Sequence, residues 1–165
     1  MDTKMYTVFK PPTIRQLSEE DVFSASELVW RVFLEFEAPE YSDEGIAEFQ
    51  SFVEPSFILH RMESGRFCLW GAFEREKVVG VIAINSPLHI SLLFVDKQYH
   101  RRGIARSLLD TVLNRETLVA GHDRITVNSS PYAVNIYQCL GFAPTDTEQT
   151  VNGLRFTPME RVLRR

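Results

Sequence analysis

Residues 78–84 read VVGVIAI, apolar at every position apart from one glycine, and no other stretch constrains the chain as strongly. A strand with no polar face has to be covered on both sides, so helices are expected on two faces of a sheet. The neighbouring segments fix where that strand sits. Residues 66–73 (RFCLWGAF) and 77–85 read as two strands joined by the charged turn EREK, a hairpin. Ser86, Pro87 and Leu88 then turn into a third consecutive strand, HISLLFV, which puts the centre of the sheet here.

The rest of the chain alternates between helix-like and strand-like segments without repeats or linkers, and 165 residues suit a single domain over 1–165. Residues 1–11 read as a loose lead-in. TIRQL is a short strand, and Ser18 caps a helix with Asp21 reaching back to it. Val22, Ala25, Val29, Val32, Phe33 and Phe36 make an apolar helical stripe over about 19–37. Ser42 opens a second helix, which Pro55 interrupts before a short helical turn to about Met62. After the central strands, Ile104, Leu108, Leu109 and Val112 lead a helix expected to reach about Val119 and to stop at Gly121. DRITVNSS is a strand. Ser130 and Pro131 cap a helix of about ten residues ended by Gly141, and Asn152-Gly153 marks a hairpin. Pro158 predicts that the last strand lies at an edge.

Net charge is −4, which argues against general binding of nucleic acid or membrane surfaces. Cys68 and Cys139 fit no metal-ligand spacing, so no metal is expected. The start of the chain shows no signal sequence, and no apolar run approaches the roughly 20 residues that span a bilayer, so the expected compartment is the cytoplasm. Against that acidic background, residues 96–106 (DKQYHRRGIAR) carry a formal +3. Arginines near a helix start can simply be solvated, and a glycine can simply shape a turn. Context favours an anion site: a buried strand runs straight into the small-residue loop and then into a long amphipathic helix, whose first amides lack intrahelical partners. There is no GxxxxGK sequence for a Walker loop and no dinucleotide fingerprint.

LFVDKQYHRRGIAR, followed by VNSSPYAVNIYQCLGF, resembles the GNAT superfamily of acyl-CoA-dependent N-acyltransferases. The two motifs cover about residues 92–142, and the element order agrees from Thr13 to the end. The resemblance implies an α/β fold with a central, mostly antiparallel sheet of about seven strands flanked by about four helices. It implies acetyl-CoA as the acyl donor. Leu93, Phe94 and Val95 would then offer main-chain groups to the pantetheine arm, one amide near Val95 stabilising the oxyanion. The loop and first turn, Arg101, Arg102 and Gly103 with Ile104, Ala105 and Arg106, would hold the pyrophosphate. Tyr137 matches the family's general acid, and a tyrosine pKa of about 10 keeps it protonated at neutral pH. The sequence departs from the family at two positions. His100 replaces the usual glutamine or arginine, and Ser130 stands where many members carry asparagine, so Asn128 and Ser130 are kept as cofactor contacts.

An attacking amine has to lose a proton, and HISLLFV lacks the carboxylate that many members place there. His89, sharing a face with Ser91 and Leu93 by alternation, is the candidate base, beside a water held by Asn128 or Ser130. The family builds its acceptor pocket from the link between the first two helices and from the final hairpin. Here Glu37, Glu40, Tyr41, Asp43 and Glu44 would make an acidic wall, with Glu37 and Tyr41 as substrate contacts, which favours a cationic amine. A homodimer follows by family analogy alone. Two functions stand at this point: an N-acetyltransferase acting by direct attack in a ternary complex, or a non-catalytic acyl-CoA-binding regulatory module that does not need Tyr137.

Overall fold

The computed structural model describes residues 10–163. Of the lead-in expected over 1–11, residues 1–9 lie outside the described residues. Thr13–Gln16 form β1, after which the Ser18 N–H donates to the Asp21 carboxylate at 2.8 Å, as the SEED cap implies. The chain then enters α1 (Val22–Phe36), whose spaced apolar residues are buried. A short turn over Ala38–Glu40 leads to α2 (Asp43–Phe52), where the Ser42 hydroxyl accepts from the Gly45 N–H at 3.2 Å. Pro55 takes a first-turn position in α3 (Pro55–Glu63), where its missing N–H costs no helical bond.

β2 (Phe67–Glu74), β3 (Lys77–Asn85) and β4 (His89–Val95) form the expected antiparallel centre. β5 (Arg124–Ser129) runs parallel to β4, β8 (Leu154–Val162) is antiparallel to β5, and β6 (Ala143–Pro144) and β7 (Gln149–Val151) both pair with β8. The order is β1-β2-β3-β4-β5-β8-β6. One core packs α1, α2 and α3 on one face; the other packs α4 (Ile104–Leu113) and α6 (Val134–Cys139) on the opposite face. VVGVIAI serves both, with Val81 and Ala83 in the first core and Ile82 and Ile84 in the second. Its glycine has a positional reason. A Cβ at Gly80 would stand 3.0 Å from Ile104 and 3.2 Å from Leu108, so this strand glycine lets the start of α4 lie flat on the sheet.

Several local expectations are corrected. The described residues hold eight strands rather than about seven, the two-residue β6 being the addition, and six α-helices rather than about four. The helix expected to run to Val119 ends at Leu113. Asn114 caps it and Arg115 is extended, after which α5 (Glu116–Val119) is a separate turn. The helix after β5 is also shorter: residues 131–133 are a turn, and α6 has six residues. Pro158 does not mark an edge, because β8 pairs with β5 on one side and with β6 and β7 on the other. Its carbonyl accepts from the Thr145 N–H at 2.9 Å, on the side away from β5. The missing N–H therefore faces the break between the β6 and β7 pairings, where no ladder bond is lost.

The correction that bears most on the site lies within β4. Ile90 pairs with Ile84 and Leu92 with Ala83, so Ser91 has no partner and is a bulge. An extra residue reverses the alternation. Ile90 and Leu93 belong to the α4 and α6 core, whereas Leu92 and Phe94 face α1 to α3. His89, one residue from Ile90, therefore lies on the opposite face from Leu93, and the shared face expected for His89, Ser91 and Leu93 is not formed.

Candidate active site

β4 and β5 pair at two positions alone, His89 with Thr126 and Ile90 with Val127, and then separate. The main chain of β4 beyond that point faces an open gap. The Asp96 N–H donates to Val79 O at 2.8 Å, so the polar groups of Asp96 and, by alternation, of Phe94 point toward β3. Those of Leu93 and Val95 point into the gap. Of the three main-chain contacts expected here, Phe94 is thus committed to the sheet. The His100 imidazole donates from Nε2 to the Val95 carbonyl at 2.7 Å, clipping the loop to β4. The Leu93 N–H and C=O and the Val95 N–H remain for a ligand.

A cavity of about 660 Å³ opens at the α4 end of the gap. Arg101 and Gly103 both adopt left-handed backbone, φ 62° and 73°, which turns the loop so that α4 starts at the cavity. The first α4 bond is Ser107 N–H to Gly103 O, leaving the amides of Ile104, Ala105 and Arg106 without helical partners. Ala105 and Gly103 line the cavity, and their small size leaves it open. Arg101 lines it as well. Arg102 does not: its guanidinium lies 5.0 Å over the Tyr99 ring. The Arg106 guanidinium donates to Cys139 O at 2.8 Å, fastening α4 to the end of α6. Strand-like main-chain donors, a helix start and a nearby arginine fit the pantetheine arm and pyrophosphate of coenzyme A.

A second cavity, of about 410 Å³, lies on the α1 to α3 side. Both cavities are bounded by Glu37, Leu93, Phe94, Ala133 and Tyr137, so they meet at that wall. Asn128 and Ser130 line this second cavity and not the first. Tyr41 lines it too, held by a bond from its hydroxyl to Arg155 O at 3.1 Å. The acidic wall is thinner than the sequence implies. Glu40, Asp43 and Glu44 do not line the cavity; Asp43 and Glu44 occupy the first turn of α2, where carboxylates complement the helix dipole. Glu48, about one turn further along α2, takes their place.

Glu37, at the end of α1, is the group whose importance the sequence understates. Burial drives its pKa from the ordinary 4.5 to about 7, and the charge of Glu40 adds to the rise. A hydrogen bond from the Ser130 hydroxyl to Glu37 Oε1, 2.7 Å, opposes it. Ser130 is itself oriented, its oxygen accepting from the Ala133 N–H at 3.2 Å. No spacing rule brings residues 37 and 130 together; the parting of β4 from β5 does. Tyr137 is buried against Phe142, ring centroids 5.5 Å apart, and burial followed by the Glu37 charge pushes its phenol pKa well up, so it holds its proton at neutral pH. His89 Nδ1 lies 2.8 Å from Thr126 Oγ1, and burial lowers its pKa. It stands four strand residues, roughly 13 Å, from Leu93.

Among the described residues no group of three or more His, Cys, Asp or Glu side chains is arranged to hold a metal, and no helix is long and apolar enough to cross a membrane. The sequence model of the family described as "Acetyltransferase (GNAT) domain" matches residues 37–163. N-acetyltransferase 8 of Homo sapiens is 30% identical over 118 residues, 64% of this chain and 50% of that protein, so the chain spans about half the length of this curated relative. Among solved structures, a GCN5-related N-acetyltransferase from Rhodopseudomonas palustris superposes with TM-score 0.79 at 22% identity, covering 96% of this chain and 99% of that one. The PaiA N-acetyltransferase of Thermoplasma acidophilum, solved with coenzyme A, gives TM-score 0.75 at 19% identity, covering 94% and 100%. At these identities the two structures establish the fold.

Proposed function

Because the chain belongs to the GNAT acetyltransferase family, we propose that it transfers an acetyl group from acetyl-CoA to a primary amine by direct attack in a ternary complex. The observation that carries this reading is the meeting of two cavities at Glu37 and Tyr137 through the gap between β4 and β5. The larger cavity takes the donor: the amides opening α4 and Arg101 bind pyrophosphate, while the free main-chain groups of Leu93 and Val95 align the pantetheine arm and the thioester. The smaller cavity takes the amine.

Glu37, rather than His89, is assigned as the base. A carboxylate with a pKa of about 7 is ionised in a large fraction of molecules at neutral pH, yet basic enough to accept a proton from the attacking nitrogen. As the nitrogen bonds to the carbonyl carbon, that proton passes to Glu37, and the Val95 N–H supports the charge growing on the carbonyl oxygen. The carbon–sulfur bond then breaks. Tyr137 gives its phenolic proton to the departing sulfur, leaving the amide and free CoA thiol; proton exchange with water resets both side chains. Holding the reactants in adjoining cavities supplies the orientation on which such a transfer depends.

Thiol release from acetyl-CoA over a panel of amines tests the reading, with Tyr137→Phe beside the native chain. The expected result is turnover on one amine class, lowered about 100-fold in the variant, with acetyl-CoA affinity unchanged. Acetyl-CoA binding with every amine inert, in native chain and variant alike, counts against catalysis and favours an acyl-CoA-binding module.

A further inference from the structure

The acceptor cavity has a cationic end that no step of acetyl transfer uses. Arg61, on α3, lines it, with its guanidinium carbon 4.2 Å from the Phe67 ring and 4.5 Å from the Phe52 ring. Stacking orients the guanidinium plane but accepts none of its hydrogens. Nη1 is buried and has no hydrogen-bond partner among the described residues, and no salt bridge to Arg61 is formed among them. Burial lowers the pKa of this group and no acidic neighbour raises it. Glu48 lines the same cavity without pairing with it. Nη1 itself is closed off and out of a ligand's reach; a planar anion in the cavity would pair with the remaining edge of the guanidinium, Nε and Nη2, and offset the cost of burying its charge.

Its position relative to the chemistry defines what that anion belongs to. Phe67, under the guanidinium, is the register partner of Asn85, and Asn85 is the partner of His89, so Arg61 sits at the β4 start. Glu37 and Tyr137 adjoin Leu93 and Phe94 at the other end. Between the ends the aromatic rings of Phe49, Phe94 and Phe156 are interleaved with polar groups, among them Glu48 and Asn128. The volume of about 410 Å³ is near the low end of small-molecule sites, too small for a folded partner to enter.

Resting on the assignment of this cavity to the acceptor, we infer that the acceptor is a small amine carrying a carboxylate at its far end, which Arg61 binds in a two-point contact. Arginine suits that task because its planar fork matches a carboxylate, which a lysine does not.

The test compares ω-aminoalkanoates with ω-aminoalkanamides of the same chain length, by calorimetric binding to the chain in the presence of CoA and by turnover with acetyl-CoA. Native protein is expected to bind one length of aminoalkanoate roughly 10- to 100-fold more tightly than its amide. Arg61→Met is expected to abolish that difference while its acetyl-CoA affinity stays native. Arg61→Lys, which keeps the charge and packs on the same rings, is expected to recover a minor part of it; its melting profile guards against an unfolded variant. Where the preferred compound turns over, the loss appears in KM with kcat nearly constant. Equal binding of acid and amide by the native chain, or an undiminished preference in Arg61→Met, overturns the inference even if amines are acetylated. An Arg61-dependent preference without turnover supports the carboxylate site and counts instead against the acetyl-transfer reading.

Discussion

The donor cavity takes its free main-chain groups, its left-handed loop and its helix start from one continuous stretch, residues 93–106. The acceptor cavity gathers Glu37, Arg61, Ser130 and Arg155 from four separate parts of the chain. The ligand-facing groups of the first are neighbours in sequence, although α1 and α6 close its walls and the parting of β4 from β5 frees its main chain. The second exists because α2 is pressed against the final hairpin and because β4 leaves β5 after two pairs. A locally built site survives most distant changes, and an assembled one depends on contacts far from the chemistry. That asymmetry predicts which substitutions silence acceptor use while donor binding persists.

Glu37→Gln should have the largest effect. Removing the base lowers kcat by about 10² to 10⁴ with little change in acetyl-CoA affinity. In the native chain the rate should climb with pH through about 7 as Glu37 loses its proton, and the variant should lack that limb. Stability moves the other way. The folded chain holds the Glu37 proton up to about pH 7, whereas the unfolded chain releases it near the ordinary 4.5. Within that window the folded state binds the extra proton, so this residue's contribution to stability falls as pH rises and is lowest above it. Melting at about pH 5 and about pH 8 should therefore show Glu37→Gln gaining on the native chain at the higher pH. An unchanged rate would return the role of base to His89 or to water.

Gly45→Val comes next and strikes the assembly itself. A Cβ at Gly45 would stand 2.2 Å from Gly153 O, and one at Gly153 would stand 2.5 Å from Gly45 N: backbone touches backbone. Asn152 and Gly153, with φ 52° and 78°, form the turn that brings the hairpin to this contact. Any side chain at residue 45 has to push α2 off the hairpin, at a cost of about 1–3 kcal/mol in melting stability. Acceptor KM should rise steeply. Acetyl-CoA affinity should stay within about 2-fold, because the loop at 101–103 is remote from the contact; an equal loss on both sides would show that the two cavities are not separable.

The same asymmetry explains how much the sequence discloses. HRRGIAR can be recognised as an anion site because strand, glycine loop and helix start follow one another along the chain, and the NG hairpin is legible for the same reason. Glu37 looks like one of several acidic residues in a solvated link. Only its burial beside Ser130 turns it into a base with a pKa near 7. The bulge at Ser91 is silent in HISLLFV, since the four apolar residues after Ser91 carry no alternation that would register a change of face; the pairing of Ala83 with Leu92 creates it. Arg61 reads as a basic residue in the last turn of a helix, favourable to the dipole, until Phe52 and Phe67 are seen to lie against it. Pro158 misleads because proline avoids central strands as a rule, and here the strands beside it happen to leave one position unpaired.

The smallest expected effects separate two adjacent arginines in the donor loop. Arg101 lines the cavity, so removing its charge should weaken acetyl-CoA about 10-fold and flatten the salt dependence of binding. Arg101→Asn is the suitable variant, since the residue sits at φ 62° and asparagine tolerates that backbone. Arg102 carries the same charge one residue on, but its guanidinium covers the Tyr99 ring, a contact worth about 0.5–1 kcal/mol at an exposed site. Arg102→Ala should therefore leave acetyl-CoA affinity within about 2-fold and keep the native salt slope. If the two variants lose affinity equally, the donor is held by the summed charge of the loop rather than by its geometry. The contrast between a built donor site and an assembled acceptor site would then rest on β4 and the start of α4 alone.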